Sequence, residues 1–348
     1  MSVPPHTTHH NDVRRAHQQA PCVLLAASPG GHLDLLRSAR DAAFGGTRRV
    51  WVTAPGPAVE PLRATGDAVE LVPLVGRDPV RVVRNAARSL RALRRHRPQL
   101  IVTSGASPAI PVALLGRLLR IPVVFVETMA RVDSPSASGR VLSRLAVAVA
   151  VQWPGMAAVY PGARVCRPAL LEDVPERRAD GGHGTFVALG THAGGFDRLL
   201  RAADEAAAAG LLPRPVRAQT GATAYEPRHF DEARPWLAPD ELRGAVDDAE
   251  LLICHAGAGI ISGGLRAGLR PVVMPRLSRH GEHFDDHQLE IAGQLGDLRA
   301  VVPVDGAIER DHVAAALADG DLRMPGAGLP SVSALLRTHV LRHTGVPA

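Results

Sequence analysis

No lysine occurs among the 348 residues, so all 40 basic side chains are arginine. A Walker A phosphate loop needs its lysine, and Schiff-base or pyridoxal phosphate catalysis needs a nucleophilic amine, so these chemistries are excluded. Any phosphate must be held by arginine, histidine, backbone amides or helix ends. Aromatics are scarce, with six Phe, three Trp and two Tyr, which leaves little to stack on bases and argues against nucleic acid as a partner. The three cysteines, Cys22, Cys166 and Cys254, are odd in number and far apart in sequence. They read as reduced core residues of a cytoplasmic protein, not as a disulfide framework or zinc site. No uncharged apolar run reaches the roughly 18 residues that suggest a transmembrane helix. Residues 1–20 lack the apolar core of a signal peptide and are expected to form a disordered tail.

What is present is a globular composition, 46% apolar, and a length that suggests two domains of roughly 150 residues each. The net charge of +6 is unevenly spread. Residues 1–180 carry 24 arginines against 13 acids, a net +11, whereas 181–348 carry 16 against 21, a net −5. The basic half can attract an anionic membrane surface or a phosphorylated ligand.

Short apolar runs, each ending in small or turn residues and followed by a helix-like stretch, recur at 22–27, 50–53, 100–104 and 123–127, and again at 185–189, 216–219, 251–254, 272–274 and 301–304. Apolar strands alternating with helices predict an α/β fold of two doubly wound, parallel-sheet domains. The polar stretch 171–184 is read as the linker. It separates an N-terminal domain, 21–170, from a C-terminal domain, 185–330, leaving 331–348 as a terminal helix or tail. Such domains bind ligands at strand C-termini, and a cleft between them is expected.

Residues 81–97 predict an amphipathic helix. Arg81, Arg84, Arg88, Arg91 and Arg95 fall in one arc, and Val82, Val83, Ala86, Leu90 and Leu93 lie opposite. It reads either as a solvated arginine face over a packed apolar face, or as a membrane-surface patch in which Arg84, Arg88 and Arg91 meet anionic lipid. No acid lies between Asp78 and Glu127.

The first strand runs into Ser28-Pro29-Gly30-Gly31-His32. Glycines at a strand-to-helix turn let backbone approach a ligand, and His32 is placed to act as a general base or phosphate contact, or to cap the turn. The second half repeats this design in Gly190-Thr191-His192-Ala193-Gly194-Gly195 and in His255-Ala256-Gly257-Ala258-Gly259. Two such loops at one sheet can hold a diphosphate without lysine or metal. Next, 280–288 reads His-Gly-Glu-His-Phe-Asp-Asp-His-Gln, polar enough to bind sugar hydroxyls; its spacing matches no known zinc pattern. Asp319-Gly320-Asp321 superficially resembles a metal-binding pair and is set aside as a turn.

Taken together, Ser28 to His32, the run Glu127-Thr128-Met129-Ala130-Arg131-Val132-Asp133-Ser134-Pro135-Ser136, and Val151-Gln152-Trp153 resemble the acceptor-binding subunit of two-subunit glycosyltransferases. Those enzymes include the eukaryotic dolichol-linked N-acetylglucosaminyltransferase and bacterial exopolysaccharide relatives. Gly190-Thr191-His192, Phe196-Asp197-Arg198-Leu199, Gln219-Thr220-Gly221, His255 to Gly259, Gly281-Glu282-His283 and Asp286-His287-Gln288 resemble the donor-binding subunit. Both halves then sit on one chain, in the order of the related peptidoglycan enzyme MurG.

The resemblance implies a GT-B fold and an inverting glycosyltransferase that needs no cofactor or metal. It implies a UDP-sugar donor at Gly190, Thr191, His192, Gln219, His255, Gly257, Ala258, Gly259, Glu282, Asp286, His287 and Gln288. A lipid-pyrophosphate-linked glycan acceptor is expected at Gly30, Gly31, Arg131 and Ser134, with His32 or Glu127 as the base. The protein is expected in the cytoplasm, on the inner face of the plasma membrane. Two positions depart from the pattern: Ile260 replaces a hydroxyl residue, and Gly263 replaces a glutamate that would hold the donor ribose. A UDP-sugar 2-epimerase of the same fold and a non-catalytic scaffold with a decayed donor site are the alternatives.

Overall fold

The structure, a computed structural model, describes residues 20–56, 58–75, 78–172, 174–175, 181–190, 194–283, 285–318 and 328–346. The chain divides into two compact units. Unit 1 takes the chain up to Thr128, Ser134–Cys166 and the stretch from Leu329 onward; unit 2 takes Met129–Asp133 and Arg167–Gly328.

Unit 1 is built on seven strands, β1 (Cys22–Ala26), β2 (Arg48–Thr53), β3 (Ala68–Leu71), β4 (Leu100–Thr103), β5 (Val123–Val126), β6 (Ala148–Val151) and β7 (Arg164–Val165). They form one parallel sheet in the order β3-β2-β1-β4-β5-β6-β7. Its helices are α1 (Gly31–Ser38), α2 (Arg40–Phe44), α3 (Val59–Ala64), α4 (Pro79–His96), α5 (Ala109–Leu118), α6 (Gly139–Leu145) and α7 (Met156–Val159). The central strands are apolar but for Thr103, whose hydroxyl donates to the Ala26 carbonyl at 2.7 Å, because both faces are covered: every residue of β1, β4 and β5 is buried.

Unit 2 repeats the plan with β8 (Thr185–Ala188), β9 (Val216–Gln219), β10 (Glu232–Arg234), β11 (Leu251–His255), β12 (Val272–Met274) and β13 (Val302–Pro303). All are parallel, in the order β10-β9-β8-β11-β12-β13. Between them run α8 (Asp197–Ala208), α9 (Pro239–Asp248), α10 (Ala258–Arg266), α11 (His287–Asp297) and α12 (Arg310–Leu317). Its core gathers Val187, Phe196, Leu199, Leu200, Ile253 and Met274, all fully buried.

In both sheets the strand order reverses direction beside the first strand, between β1 and β4 and between β8 and β11. The loops leaving those strands diverge to opposite faces, which opens a crevice at their C-terminal ends. Each unit therefore has one topologically fixed place for a ligand.

Three features differ from the sequence expectation. The C-terminal helix, α13 (Val332–Thr344), is an integral part of unit 1. It packs on α2, buries Leu335, Leu336 and Val340, and Arg337 donates to the Gly45 carbonyl at 2.7 Å. The strand β10 was invisible because its three residues, Glu-Ala-Arg, are exposed. Finally, α4 is rotated from its expected setting, and Val82 and Val83 are 39% and 67% exposed. The buried face instead carries Asn85, Ser89, Ala92 and Leu93. Asn85 donates to the Pro73 carbonyl at 2.9 Å and accepts from Ser89 Oγ at 3.0 Å. These satisfied polar groups make a packed face that hydrophobic periodicity alone does not find.

Candidate functional site

In unit 1, β1 ends at Ala26 and Gly30 turns the chain into α1 with φ 93°. A Cβ at Gly30 or Gly31 would meet nothing within 4 Å, so this face of the turn is open. His32 lies in the first turn of α1, half-buried, and crosses the switch point to the loop after β4. Its Nδ1 is 2.7 Å from the Ser104 carbonyl, and Ser104 Oγ donates to the His32 carbonyl at 2.7 Å. A carbonyl can only accept, so Nδ1 carries the proton and Nε2 is the basic atom of the neutral ring.

Glu127, at the end of β5, is 1% exposed. Its Oε2 accepts from Tyr160 OH at 2.5 Å, Ser136 Oγ at 3.0 Å and Ser136 N at 3.2 Å, while Oε1 accepts from Thr128 N at 2.9 Å. A Cβ at Gly139 would lie 2.2 Å from the Tyr160 hydroxyl oxygen and 2.4 Å from Glu127 Oε2, so only glycine fits. The carboxylate is enclosed and fully used in folding the loop that follows it. That geometry suits a loop organiser better than a base that must reach a substrate hydroxyl.

Of the acceptor-side residues, Ser134 remains in unit 1, half-buried. Arg131 does not; it lies in the excursion Met129–Asp133 of unit 2 and pairs with Asp285. The backbone amides of Val132 and Asp133 donate to Glu290 Oε2 at 3.2 and 3.4 Å and fix that excursion. Arg84, Arg88 and Arg91 are exposed on α4. Exposed apolar side chains share unit 1 with them: Leu74, Val80 and Val83, and on α5 Leu114 and Leu118.

In unit 2, the glycine loops after β8 and β11 meet at His255. The ring's Nδ1 is 3.4 Å from the Ala188 carbonyl. A Cβ at Gly190, whose φ is 82°, would fall 2.6 Å from the ring, and one at Gly257 only 2.2 Å from Nε2. Both glycines are required for the imidazole to sit between the loops. Gly257 is the N-cap of α10, with Ala258 and Gly259 in its first turn, so that the helix presents unpaired backbone N–H groups here. Thr191 and His192 lie outside the described residues, as does 319–321.

The remaining donor-side residues mostly brace this region. Gln219 is 2% exposed and accepts from Leu237 N at 3.3 Å. Glu282 is gripped by Arg198 through two bonds of 3.1 and 3.0 Å. Asp286 is exposed and accepts from Ser278 N at 2.7 Å. Gln288 accepts from Arg276 N at 3.1 Å. His287, at the start of α11, contacts Asp285. At Gly263 a Cβ would meet nothing within 4 Å.

Sequence reading missed Arg276, which is 2% exposed. Its guanidinium donates to the carbonyls of Leu189, Gly194, Gly195 and Glu282 at 2.8 to 3.3 Å and lies over the Phe196 ring. Burial lowers its pKa and the Glu282 charge partly restores it. With those carbonyls turned inward, the loop after β8 is pinned at both ends. The available signal was a lone charge in the apolar stretch Pro271 to Leu277, where only backbone carbonyls could satisfy it.

His283, Asp285 and His287 offer ligand atoms all within 4.8 Å of one another. Two imidazoles and a carboxylate are a donor set a divalent ion could bridge, but the second Asp285 oxygen is held by Arg131. Among the described residues no helix is long and apolar enough to cross a membrane.

Two family models match the chain. Residues 76–167 match the one described as oligosaccharide biosynthesis protein Alg14 like, and residues 186–301 match the glycosyltransferase family 28 C-terminal domain. Relatives include the UDP-N-acetylglucosamine--N-acetylmuramyl-(pentapeptide) pyrophosphoryl-undecaprenol N-acetylglucosamine transferases of Xanthomonas campestris and Methylococcus capsulatus. The first is 27% identical, over 87% of this chain and 74% of the relative; the second is 28% identical, over 80% and 83%. Among solved structures, Acinetobacter baumannii MurG superposes with a TM-score of 0.61 at 19% identity, covering 93% of this chain and 99% of that one. The UDP-N-acetylglucosamine 2-epimerase of Rickettsia bellii gives 0.60 at 10%, covering 93% and 96%. These likenesses establish the GT-B fold.

Proposed function

We propose that this chain, a UDP-sugar-dependent glycosyltransferase of the GT-B fold, moves a sugar with inversion onto a hydroxyl of a lipid-pyrophosphate-linked glycan acceptor, in cell-surface glycan synthesis at the inner face of the membrane. The observation that carries the reading is the pair of equivalent switch points: a histidine with a fixed basic nitrogen in unit 1 and a glycine-lined helix start in unit 2. The two halves correspond to acceptor-type and donor-type subunits joined on one chain, and the two family matches on successive segments support this.

In this mechanism His32 Nε2 removes the proton of the acceptor hydroxyl. The oxygen attacks C1 of the donor sugar as the bond to UDP breaks. Charge develops on the leaving diphosphate, where the α10 amides and the loop after β8 stabilise it without a catalytic metal. Glu127 orders the acceptor-side loop. The arginines of α4, with the exposed apolar side chains of unit 1, form the surface that meets anionic lipid. The Alg14-like match in the first half favours transfer over 2-epimerisation, although both chemistries use this fold.

The test is incubation of the purified protein with a panel of labelled UDP-sugars, UDP-N-acetylglucosamine first, and bacterial membranes, followed by extraction of lipid. Lipid-linked product that persists in EDTA is expected. Absence of UDP-sugar binding at millimolar concentration by calorimetry rejects the enzyme reading and leaves a scaffold.

A further inference from the structure

We propose that His283, Asp285 and His287 bind a zinc ion that clasps the chain between β12 and α11. The ion takes no part in sugar transfer. The site therefore goes beyond the function proposed above and stands whether or not the chain binds a UDP-sugar.

Among the described residues, these three form the group whose ligand atoms, one from each, all lie within 4.8 Å of one another. Both Nδ1 atoms face the same carboxylate oxygen: His287 Nδ1 contacts Asp285 Oδ1, and His283 Nδ1 is 3.3 Å from it. Ligands bound at about 2.0 to 2.1 Å to a tetrahedral ion stand roughly 3.3 Å apart, so His283 and Asp285 already have the spacing of two ligands on one ion. The two rings meet edge-on with centroids 4.7 Å apart. The side chains of His283, Asp285 and His287 are 10%, 28% and 18% exposed, sheltered but reachable from solvent. Binding releases the proton held between His287 and Asp285, and the ion takes its place.

The backbone builds this convergence. Three successive amides leaving β12, those of Arg276, Leu277 and Ser278, donate to Gln288 Oε1, Glu282 Oε2 and Asp286 Oδ1 at 3.1, 2.9 and 2.7 Å. Residues 282, 286 and 288 are thereby committed to the strand exit, while 283, 285 and 287 turn to one another. The other oxygen of Asp285 accepts from Arg131, which leaves Oδ1 as the oxygen presented to the imidazoles. Hydrogen bonding of this kind is how an outer partner orients a metal-binding carboxylate. Arg131 is itself held by its excursion, where Val132 N and Asp133 N donate to Glu290. Its charge is offset by Asp286 and Glu290, which flank His287 in sequence. Two imidazole nitrogens and one carboxylate oxygen suit zinc and its neighbours, whereas magnesium and calcium take oxygen ligands.

The test uses metal-free, full-length protein carrying His6→Gln, His9→Gln and His10→Gln, which removes the N-terminal histidines as competing ligands. Titration with cobalt should develop a visible ligand-field band that saturates at a single ion per chain, that zinc abolishes and that millimolar magnesium leaves unchanged. Asp285→Asn and His283→Gln should each weaken zinc at least tenfold, since loss of even an outer partner costs about 10- to 100-fold. Zinc should raise the unfolding temperature of the parent and of neither variant. X-ray absorption on the zinc-loaded parent, which needs no change in the loop, should show two imidazoles at about 2.0 to 2.1 Å. A parent that develops no cobalt band, zinc held by any other number of imidazoles, or unchanged affinity in Asp285→Asn and His283→Gln overturns the proposal.

Discussion

The two units fold the same way and place a histidine at the same topological point, yet the histidines are built for different work. His32 of unit 1 follows the first strand of its sheet and is braced by the loop after the fourth, Nδ1 against the Ser104 carbonyl, beside glycines that are open on one side. His255 of unit 2 ends the fourth strand and is packed between Gly190 and Gly257, with no space for a Cβ at either. One ring is held through Nδ1 at a turn whose glycines are open; the other is wedged between two backbone loops. A shared topology fixes where a ligand goes, and the local packing fixes what is done to it.

The largest expected effect tests that contrast directly. His32→Ala should lower kcat by about 10²- to 10⁴-fold, the usual contribution of a general base, with UDP affinity retained in calorimetry. His255→Ala should do the reverse, weakening UDP. If His32→Ala loses UDP affinity instead, the assignment of unit 1 to the acceptor side is wrong. Glu127→Gln should resemble neither: the enclosed carboxylate organises a loop, so thermal stability should fall along with turnover.

A second break exploits the difference in surface. Replacing Arg84, Arg88 and Arg91 by Gln should weaken binding to anionic vesicles by roughly a hundredfold, taking about 1 kcal/mol for each arginine near the lipid. Cosedimentation with neutral vesicles should be weak for both proteins. Unchanged binding to anionic vesicles would reduce α4 to a solvated face.

Within unit 2, two glycines two residues apart separate structure from space. Gly257→Ala drives a methyl into His255, and overpacking of this kind costs about 1 to 3 kcal/mol, seen as roughly 10- to 100-fold weaker UDP binding. Gly259→Ala meets nothing within 4 Å and should leave UDP affinity within about twofold, since an added methyl in open space costs little. Equal losses in the two would show that His255 is not the wedge. Gly263 offers a test of opposite sign. Its open surroundings admit a longer side chain, so Gly263→Glu should supply a ribose acceptor and tighten UDP about tenfold. No gain would mean that the ribose is held elsewhere.

How much of this was legible in the sequence follows from what kind of force fixes each part. Both parallel sheets could be read because strands buried on two faces must be apolar, and Cys22 to Ala26 and Leu251 to Cys254 are such short apolar runs bounded by turn residues. The glycine loops could be placed because turns at strand ends need those residues. Asp285 and Arg131 could not be paired, since they are brought together by a five-residue excursion with no periodic signature. The same holds for the buried Arg276, whose partners are carbonyls and carry no side-chain code. On α4 the periodicity misled, because Ser89 donates to Asn85 and Asn85 to the Pro73 carbonyl, so that polar side chains with satisfied hydrogen bonds occupy the buried face.

The smallest effect separates the units by pH. Burial, then the charges of Arg342, His343 and Arg164, lower the pKa of His339 below its ordinary 6.5, and burial and Arg342 lower that of His343. Both rings lie on α13 in unit 1, stacked with centroids 6.2 Å apart. They are neutral in the fold and protonate more readily in the unfolded chain, so the unfolded state binds more protons as pH falls below 6.5. Their contribution is complete above that value and is lost on descending toward the folded pKa. In unit 2 the depressed groups are carboxylates such as Asp204 and Asp285, whose contributions persist until the pH drops below the ordinary 3.8. Between pH 6.5 and 5.5, amide protection, corrected for the intrinsic slowing of exchange in acid, should therefore fall in α13, and in β1 and α2 beneath it, before it changes in β8 or β11. His339→Gln should flatten that dependence. A parallel loss of protection in both units would mean that acid acts on the whole chain and that the helix closing unit 1 is not its titrating element.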